Sequence, residues 1–288
     1  MPPTAASLDD PHGRASEEHN LFAIEMGRLF RSSWCYGLHS GRLRPAGRQI
    51  CLRVGGREVV FVAREDGAGS AFPNICLHKG ERLLEPDSTE RAALIRCVHH
   101  GWYYDLDGRL MGGPGFDLAS RARRPSLPCI PTVAVDGHVL AGPGTGSGGT
   151  VAAPSLGGIL VASQLVDSAD VEVGLGWKAV TASVLRQGWS LVLPNLAVAR
   201  RDGWQLLLRM EPLAAARTGL SLERCATGSA GSSPAAPELM RNLADSMIGA
   251  RDGHAARADL TRAATFEEVE RRVTALIGEG RAYLFSEG

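Results

Sequence analysis

The chain has 288 residues, 44% of them hydrophobic and 22% charged, an ordinary balance for a globular protein with room for about two domains. Thirty-one Lys plus Arg offset 31 Asp plus Glu. Zero net charge argues against a nucleic-acid binder, which would carry a basic excess. No run approaches the roughly 18 consecutive apolar residues of a membrane span. The opening MPPTAASLDDPHGR lacks an apolar core of the secretory kind, so the expected location is the cytoplasm, with no membrane partner.

Residues 1–15 are expected to be disordered. Ser16 to Phe30 reads as an amphipathic helix capped by Ser16, with Phe22, Met26, Leu29 and Phe30 on one face, and a lead-in follows to residue 48. From residue 49 to 141 the pattern is that of strands. Ile50–Val54 and Glu58–Ala63 flank a Gly55-Gly56 turn, and Leu94–Cys97, Gly101–Leu106 and Thr132–Leu140 continue the series toward a small β-sandwich or barrel. Residues 142–158, rich in Gly, Ser, Pro and Ala, read as a linker. Beyond it, Gln164–Val173, Leu191–Ala199, Trp204–Met210 and Thr218–Cys225 read as strands, while Trp177–Arg186 fits helix or strand. Thr227–Pro237 reads as a flexible insert, and Glu238–Ile248 and Phe266–Ile277 as helices. The fold class is α+β: an N-terminal helix, an all-β domain, and a second α+β domain over 159–288.

Six cysteines are too few and too scattered for a disulfide scaffold. Two of them fall into C-x-H-x18-C-x-x-H, formed by Cys76, His78, Cys97 and His100. Two thiolates and two imidazoles are the donor set of a Rieske [2Fe–2S] cluster, sulfurs on one iron and histidines on the other. The same four groups also suit tetrahedral zinc, although zinc fingers group cysteine with cysteine and histidine with histidine, whereas here they alternate. Cys35, Cys51, Cys129 and Cys225 lie in apolar or strand-like contexts and read as small buried hydrophobes. His99 beside His100 leaves two candidates for the last donor; His100 is the one that completes C-x-x-H before Gly101-Trp102.

NICLHKGERLL and IRCVHHGWYYDLDGRL resemble the two cluster-binding loops of Rieske-type ring-hydroxylating oxygenases. EEHNLFAIEMGRLFRSSWCYGLHSGRL resembles the helix and first strand before the cluster domain of that family's α subunit, and residues 112–116, GGPGF, its third, proline-containing loop. Residues 86–91 read as an insertion relative to that pattern. Rieske proteins of the respiratory branch add a disulfide between the loops; the matching positions here are Glu81 and Val98 or His99, which exclude it. His99 stands where the family usually has tyrosine, which makes it a solvent-facing neighbour of the ligands.

The resemblance also implies a mononuclear Fe(II) on two histidines and a carboxylate. Leu175–Val180 resembles the strand before that site, but Ala182-Ser183 replace the family's Glu-Asn, and WSLVLPNLAVARRDGWQLLLRMEPL resembles a later stretch, as though the intervening segment were deleted. After His138 the one remaining histidine is His254, which with Asp252 and Asp259 makes at most a partial set. Catalytic residues therefore go unassigned. The resemblance implies single-electron transfer from a reductase or ferredoxin, as an accessory or electron-transfer subunit in a homo- or hetero-trimer with a full-length oxygenase subunit. The alternative is an active oxygenase that hydroxylates a small apolar or aromatic substrate through an unusual or partner-supplied iron site.

Overall fold

The computed structural model describes residues 20–64, 69–116, 125–143, 152–228, 230–252 and Arg271. The expected disorder of residues 1–15, the Ser16 cap, His254, Asp259 and nearly all of the expected helix Phe266–Ile277 lie outside the described residues.

Residues 20–25 form α1, which widens into a π turn at Met26–Phe30. The expected apolar stripe is the face that packs: Met26, Leu29 and Phe30 are buried and Phe22 leans on the same core. Strand β1 (Cys35–His39) leads to a hairpin of β2 (Arg48–Val54) and β3 (Arg57–Ala63) around Gly55-Gly56. Both glycines have positive φ, 61° and 75°, as this tight turn between twisted strands requires. Strand β4 (Gly69–Pro73) pairs with β3, and β5 (Thr89–Arg91) with β2. The segment read as an insertion, 86–91, is thus half strand. Its three strand residues are all exposed and carry no alternation, so only backbone pairing reveals them.

The short strands β6 (Ile95–Arg96), β7 (Tyr103–Tyr104) and β8 (Leu110–Gly112) make a second small sheet. Thr132–Leu140 is two strands, β9 (Thr132–Val135) and β10 (His138–Ala141), reversed at Asp136-Gly137 with φ 49° and 87°. Strand β10 pairs on its other side with β1. At the ends of the Gly/Ser-rich segment, Gly142 lies against Trp34 and Leu156 is buried.

The second half is a five-stranded antiparallel sheet of β11 (Gln164–Val173), β12 (Ser190–Leu193), β13 (Leu196–Arg201), β14 (Trp204–Ala214) and β15 (Arg217–Ala226), in the order β11-β15-β14-β13-β12. Helix α2 (Trp177–Arg186) carries the chain from one edge of the sheet to the other, and α3 (Ala236–Asp252) packs beside it. The stretch Leu175–Val180, likened above to a strand, is therefore the start of a helix. Trp177, Val180 and Val184 recur at helical spacing and are all buried. Trp177 donates its indole N–H to Glu25 at 2.8 Å and Lys178 pairs with the same carboxylate at 3.0 Å, tying α2 to α1.

The sheet has two different faces. Leu206, Leu208, Met210, Leu220 and Leu222 meet Met240, Leu243 and Met247 of α3 and Val180 and Val184 of α2. The alternate residues face the first half of the chain. There Asn195 brackets the backbone of Tyr36, accepting from its N–H at 2.8 Å and donating to its C=O at 2.9 Å. Glu211 accepts from the N–H groups of Gly55 and Gly56 at 3.0 and 2.7 Å, and Glu223 accepts from the Tyr36 hydroxyl and the His39 N–H.

Arg224 grips Asp167 through two bonds of 2.8 Å, and Asp167 also accepts from the first N–H of α3. The guanidinium bonds hold the Asp167 carboxyl below its usual range. That contribution is full above the ordinary carboxylate pKa of about 3.9 and is lost as pH falls through the lower folded value. Asp167→Ala is expected to cost about 2 kcal/mol at pH 7. The gap to the wild type should narrow under strongly acid conditions, both read by urea unfolding.

Candidate metal centre

The two Cys/His segments fold into matching loops. In the first, the Cys76 N–H donates to the Glu81 carbonyl at 2.7 Å and the Gly80 N–H returns to the Cys76 carbonyl at 3.0 Å. In the second, the Cys97 N–H donates to the Trp102 carbonyl at 2.8 Å and the Gly101 N–H to the Cys97 carbonyl at 3.1 Å. Each loop closes through a glycine at positive φ, 77° at Gly80 and 69° at Gly101. The loops are also bonded to each other, from the Val98 N–H to the Leu83 carbonyl at 3.1 Å.

Within this frame the four sequence-predicted donors fall into two pairs. Cys76 and Cys97 are buried among Val60, Phe72, Leu83, Ile95 and Leu110, and their sulfurs are close enough to interact. His78 and His100 meet edge to face with ring centroids 4.9 Å apart. His99 turns away: its ring lies 6.4 Å from His100, and its Nε2 is 3.9 Å from a Glu81 carboxylate oxygen. Glu81 and His99 thus face each other across the loops, at positions where the respiratory branch would place its disulfide. Both are exposed, so the contact is worth little.

The Nδ1 of His78 is buried and has no hydrogen-bond partner. An orphaned ring nitrogen is unfavourable unless something coordinates it. Burial, then the charges of His100 and Lys79, pull the His78 pKa down, which favours the neutral imidazole that a metal requires. Burial raises the Cys76 thiol, partly opposed by the Tyr104 hydroxyl. The donor set, its orphaned nitrogen and its apolar floor fit an iron–sulfur group bound across the two pairs. Among the described residues, no three His, Cys, Asp or Glu side chains converge on one point. A single tetrahedral zinc ion would need four on one point.

The ring of His78 stacks on Trp102 at 4.7 Å and 13°. Trp102 in turn donates to the Pro114 carbonyl at 3.0 Å and meets Phe116 at 5.4 Å. The GGPGF segment is thereby fastened over one side of the site. A Cβ at Gly113 would stand 2.4 Å from the Trp102 ring, so the close approach depends on glycine there.

Sequence reasoning passed over several residues that shape the site. The Tyr104 hydroxyl lies 3.1 Å from the Cys76 sulfur and accepts from the Leu77 N–H at 3.1 Å, an arrangement that turns its proton toward sulfur. Such a bond stabilises the more negative, reduced state of an iron–thiolate centre. Tyr104→Phe is expected to lower the reduction potential by roughly 50 mV, the scale of one charge-assisted hydrogen bond partly lost. Protein-film voltammetry would read it. Asn74, Glu58 and Arg82 brace the first loop from behind; no local motif marks them, because their partners are brought together by folding.

The remaining cysteines divide. Cys35, Cys51 and Cys225 are buried as expected, and burial pushes the thiols of Cys51 and Cys225 up to about 12. Cys129 is exposed, contrary to expectation; it lies outside the strands, between buried Leu127 and Ile130, with its side chain turned outward.

Residues 33–129 match the family described as Rieske [2Fe-2S] domain. Over 110 residues the chain is 31% identical to the glycine betaine monooxygenase oxygenase subunit of Chromohalobacter salexigens, covering 36% of this chain and 24% of that one. Over 113 residues it is 33% identical to the benzene 1,2-dioxygenase subunit alpha of Pseudomonas putida, covering 38% and 25%. The matched stretch thus spans about a quarter of the length of these curated relatives. Among solved structures, the quaternary ammonium Rieske monooxygenase CntA with L-carnitine superposes at TM-score 0.60 and 17% identity, over 90% of this chain and 82% of that one. Naphthalene 1,2-dioxygenase from Rhodococcus sp. superposes at 0.57 and 13% identity, over 88% and 80%. These likenesses extend the shared fold into the second half, where sequence similarity is weak. Residues 33–129 are a Rieske [2Fe–2S] domain, and over that stretch the chain is similar to the oxygenase subunits named above, whose fold it shares.

Proposed function

We propose that Cys76, His78, Cys97 and His100 hold the [2Fe–2S] cluster, and that the chain serves as an electron-transfer or accessory subunit. The observation that carries the ligand assignment is the split donor set: two buried sulfurs, and two stacked-out imidazoles of which one has an orphaned Nδ1. When bound, such a cluster takes up one electron and passes it on. The protein's part is to keep the sulfur side dry and to present the imidazole side. Ile75, Leu77, Leu94 and Val98 are exposed around the two loops. An apolar collar at the solvent edge of a redox centre suits brief docking of a protein partner. The donor in this reading is a cytoplasmic reductase or ferredoxin. The acceptor is a full-length oxygenase subunit in a shared trimer.

The electron-transfer reading rests on the composition of the second half. A mononuclear iron needs two histidines and a carboxylate around open space. The helix-facing side of the sheet is instead filled by Val173, Leu208, Met210, Leu220 and Leu222 against Val180, Val184, Met240, Leu243 and Met247. Of the buried hydroxyls of α2, Thr181 donates to the Trp177 carbonyl at 2.9 Å and Ser183 accepts from the Gln187 amide at 3.5 Å.

The test is the iron to acid-labile sulfide ratio of anaerobically purified protein. About two irons and two sulfides per chain are expected. About three irons per two sulfides would overturn the electron-transfer reading in favour of an oxygenase with its own mononuclear site. Failure to associate with or stimulate any full-length oxygenase subunit would remove the accessory role.

A further inference from the structure

Between the outward face of the five-stranded sheet and β2 lies a cavity of about 370 Å³. Its floor is formed by the register neighbours Ser221 on β15 and Arg209 on β14, and the same row runs out to Asp170 on β11 at the rim. In the adjoining row Gly219 sits between Glu172 and Glu211, and its missing side chain is what opens the space. Leu52 and Arg53 of β2, with Arg42 and Asp87, form the roof.

The groups at the deep end are hydrogen-bond donors. Arg209 is 8% exposed, spends Nη1 on the Arg53 carbonyl at 2.6 Å, and lines the cavity beside Glu211, whose charge it faces. Ser221 is 4% exposed, and its hydroxyl has no partner. Glu211, the one carboxylate at this depth, is occupied by the Gly55 and Gly56 N–H groups. Asp170 and Glu172 lie exposed at the mouth, where water screens them. Leu52 and Leu213 add apolar wall.

We propose that this cavity binds a small monocarboxylate, its carboxylate against Arg209 and Ser221 and its short apolar body against Leu52 and Leu213. A guanidinium and a hydroxyl answer the two oxygens of one carboxylate. At the mouth Asp87, Asp170 and Glu172 are balanced by Arg42 and Arg53, so the charge that selects the ligand is the one at the deep end. The site is separate from the cluster loops and does not rest on the electron-transfer reading.

The test is calorimetric titration of the cluster-loaded chain with sodium butyrate, and with 1-butanol and butylammonium as comparisons. Saturable one-to-one binding of butyrate is expected, with at least tenfold weaker binding of the other two. Ser221→Ala removes only an unpartnered hydroxyl and should weaken butyrate at least fivefold. Gly219→Val places a Cβ no nearer than 3.6 Å to its surroundings, so the sheet tolerates it, while its added bulk next to Ser221 narrows the cavity and should weaken butyrate at least tenfold. Cluster absorbance in both variants serves as the check on folding. Butyrate binding that survives Gly219→Val unchanged, or equal binding of butanol, would overturn the proposal, as would no binding of butyrate at all.

Discussion

Cys76→Ser and His100→Ala are each expected to give colourless protein with iron and sulfide near zero, while His99→Ala keeps both at wild-type content. The argument is geometric. An iron of such a cluster takes two protein donors, and the two loops supply one sulfur and one imidazole each. Serine offers a hard oxygen whose proton is not lost near neutral pH, so it does not replace a soft thiolate. His100 faces His78 at 4.9 Å, and removing it leaves one iron with a single protein donor. His99 loses only a 3.9 Å contact with Glu81 between two exposed side chains, worth at most about 1 kcal/mol. Its removal shifts the reduction potential without releasing metal. Iron and sulfide assays with visible circular dichroism separate the cases. A brown His100→Ala protein beside a colourless His99→Ala protein would hand the ligand role to His99.

The metal centre was legible because its chemistry is local. Each half of the donor set lies within four residues, and each loop is closed by a glycine that the backbone demands. The supporting shell was not legible. Tyr104 is separated from Cys76 by 28 residues and Asn74 from Glu58 by 16, and no periodicity links them. The strands were read where burial alternates or runs continuously, as in β2 and β3. They were missed where a strand is short, whether exposed, as in β5, or buried, as in β4 and β8. The Asp136-Gly137 turn did carry its own signal, since Asp-Gly favours positive φ at both positions, and it splits what looked like one strand. In α2, the β-branched Val180, Thr181 and Val184 argue for strand and the spacing of Trp177, Val180 and Val184 for helix. Packing of that face against the sheet decides for helix, a tertiary choice that local preference leaves open.

Asn74→Ala is expected to destabilise the protein by about 4 kcal/mol and to shorten the lifetime of the cluster in air at least tenfold. Asn74 is 2% exposed and uses its whole amide. Its Oδ1 accepts from the Leu83 and Leu84 N–H groups, both at 2.9 Å. Its Nδ2 donates to the Leu84 carbonyl at 2.9 Å and to Glu58 at 3.0 Å. Alanine would strand two N–H groups and a carbonyl beside Leu83 and Leu84, both 0% exposed, at about 1–3 kcal/mol for each group left unpaired. A total near 4 kcal/mol is a large share of the usual 5–15 kcal/mol. The damage would not stop at the first loop. The Leu83 carbonyl holds the Val98 N–H, and the Arg82 carbonyl lies 3.3 Å from the Cys97 sulfur, so the second loop takes its position from Arg82 and Leu83. Arg82→Ala is the comparison. It removes a paired but half-exposed guanidinium from Glu58 and should cost far less than Asn74→Ala, with little effect on the lifetime. Urea unfolding and the decay of visible absorbance read both quantities. If Asn74→Ala retained the cluster as long as the wild type, the loops would have to be held together by the metal centre itself. The protein would then be a scaffold organised by its cofactor, and not one that is built before the cofactor arrives.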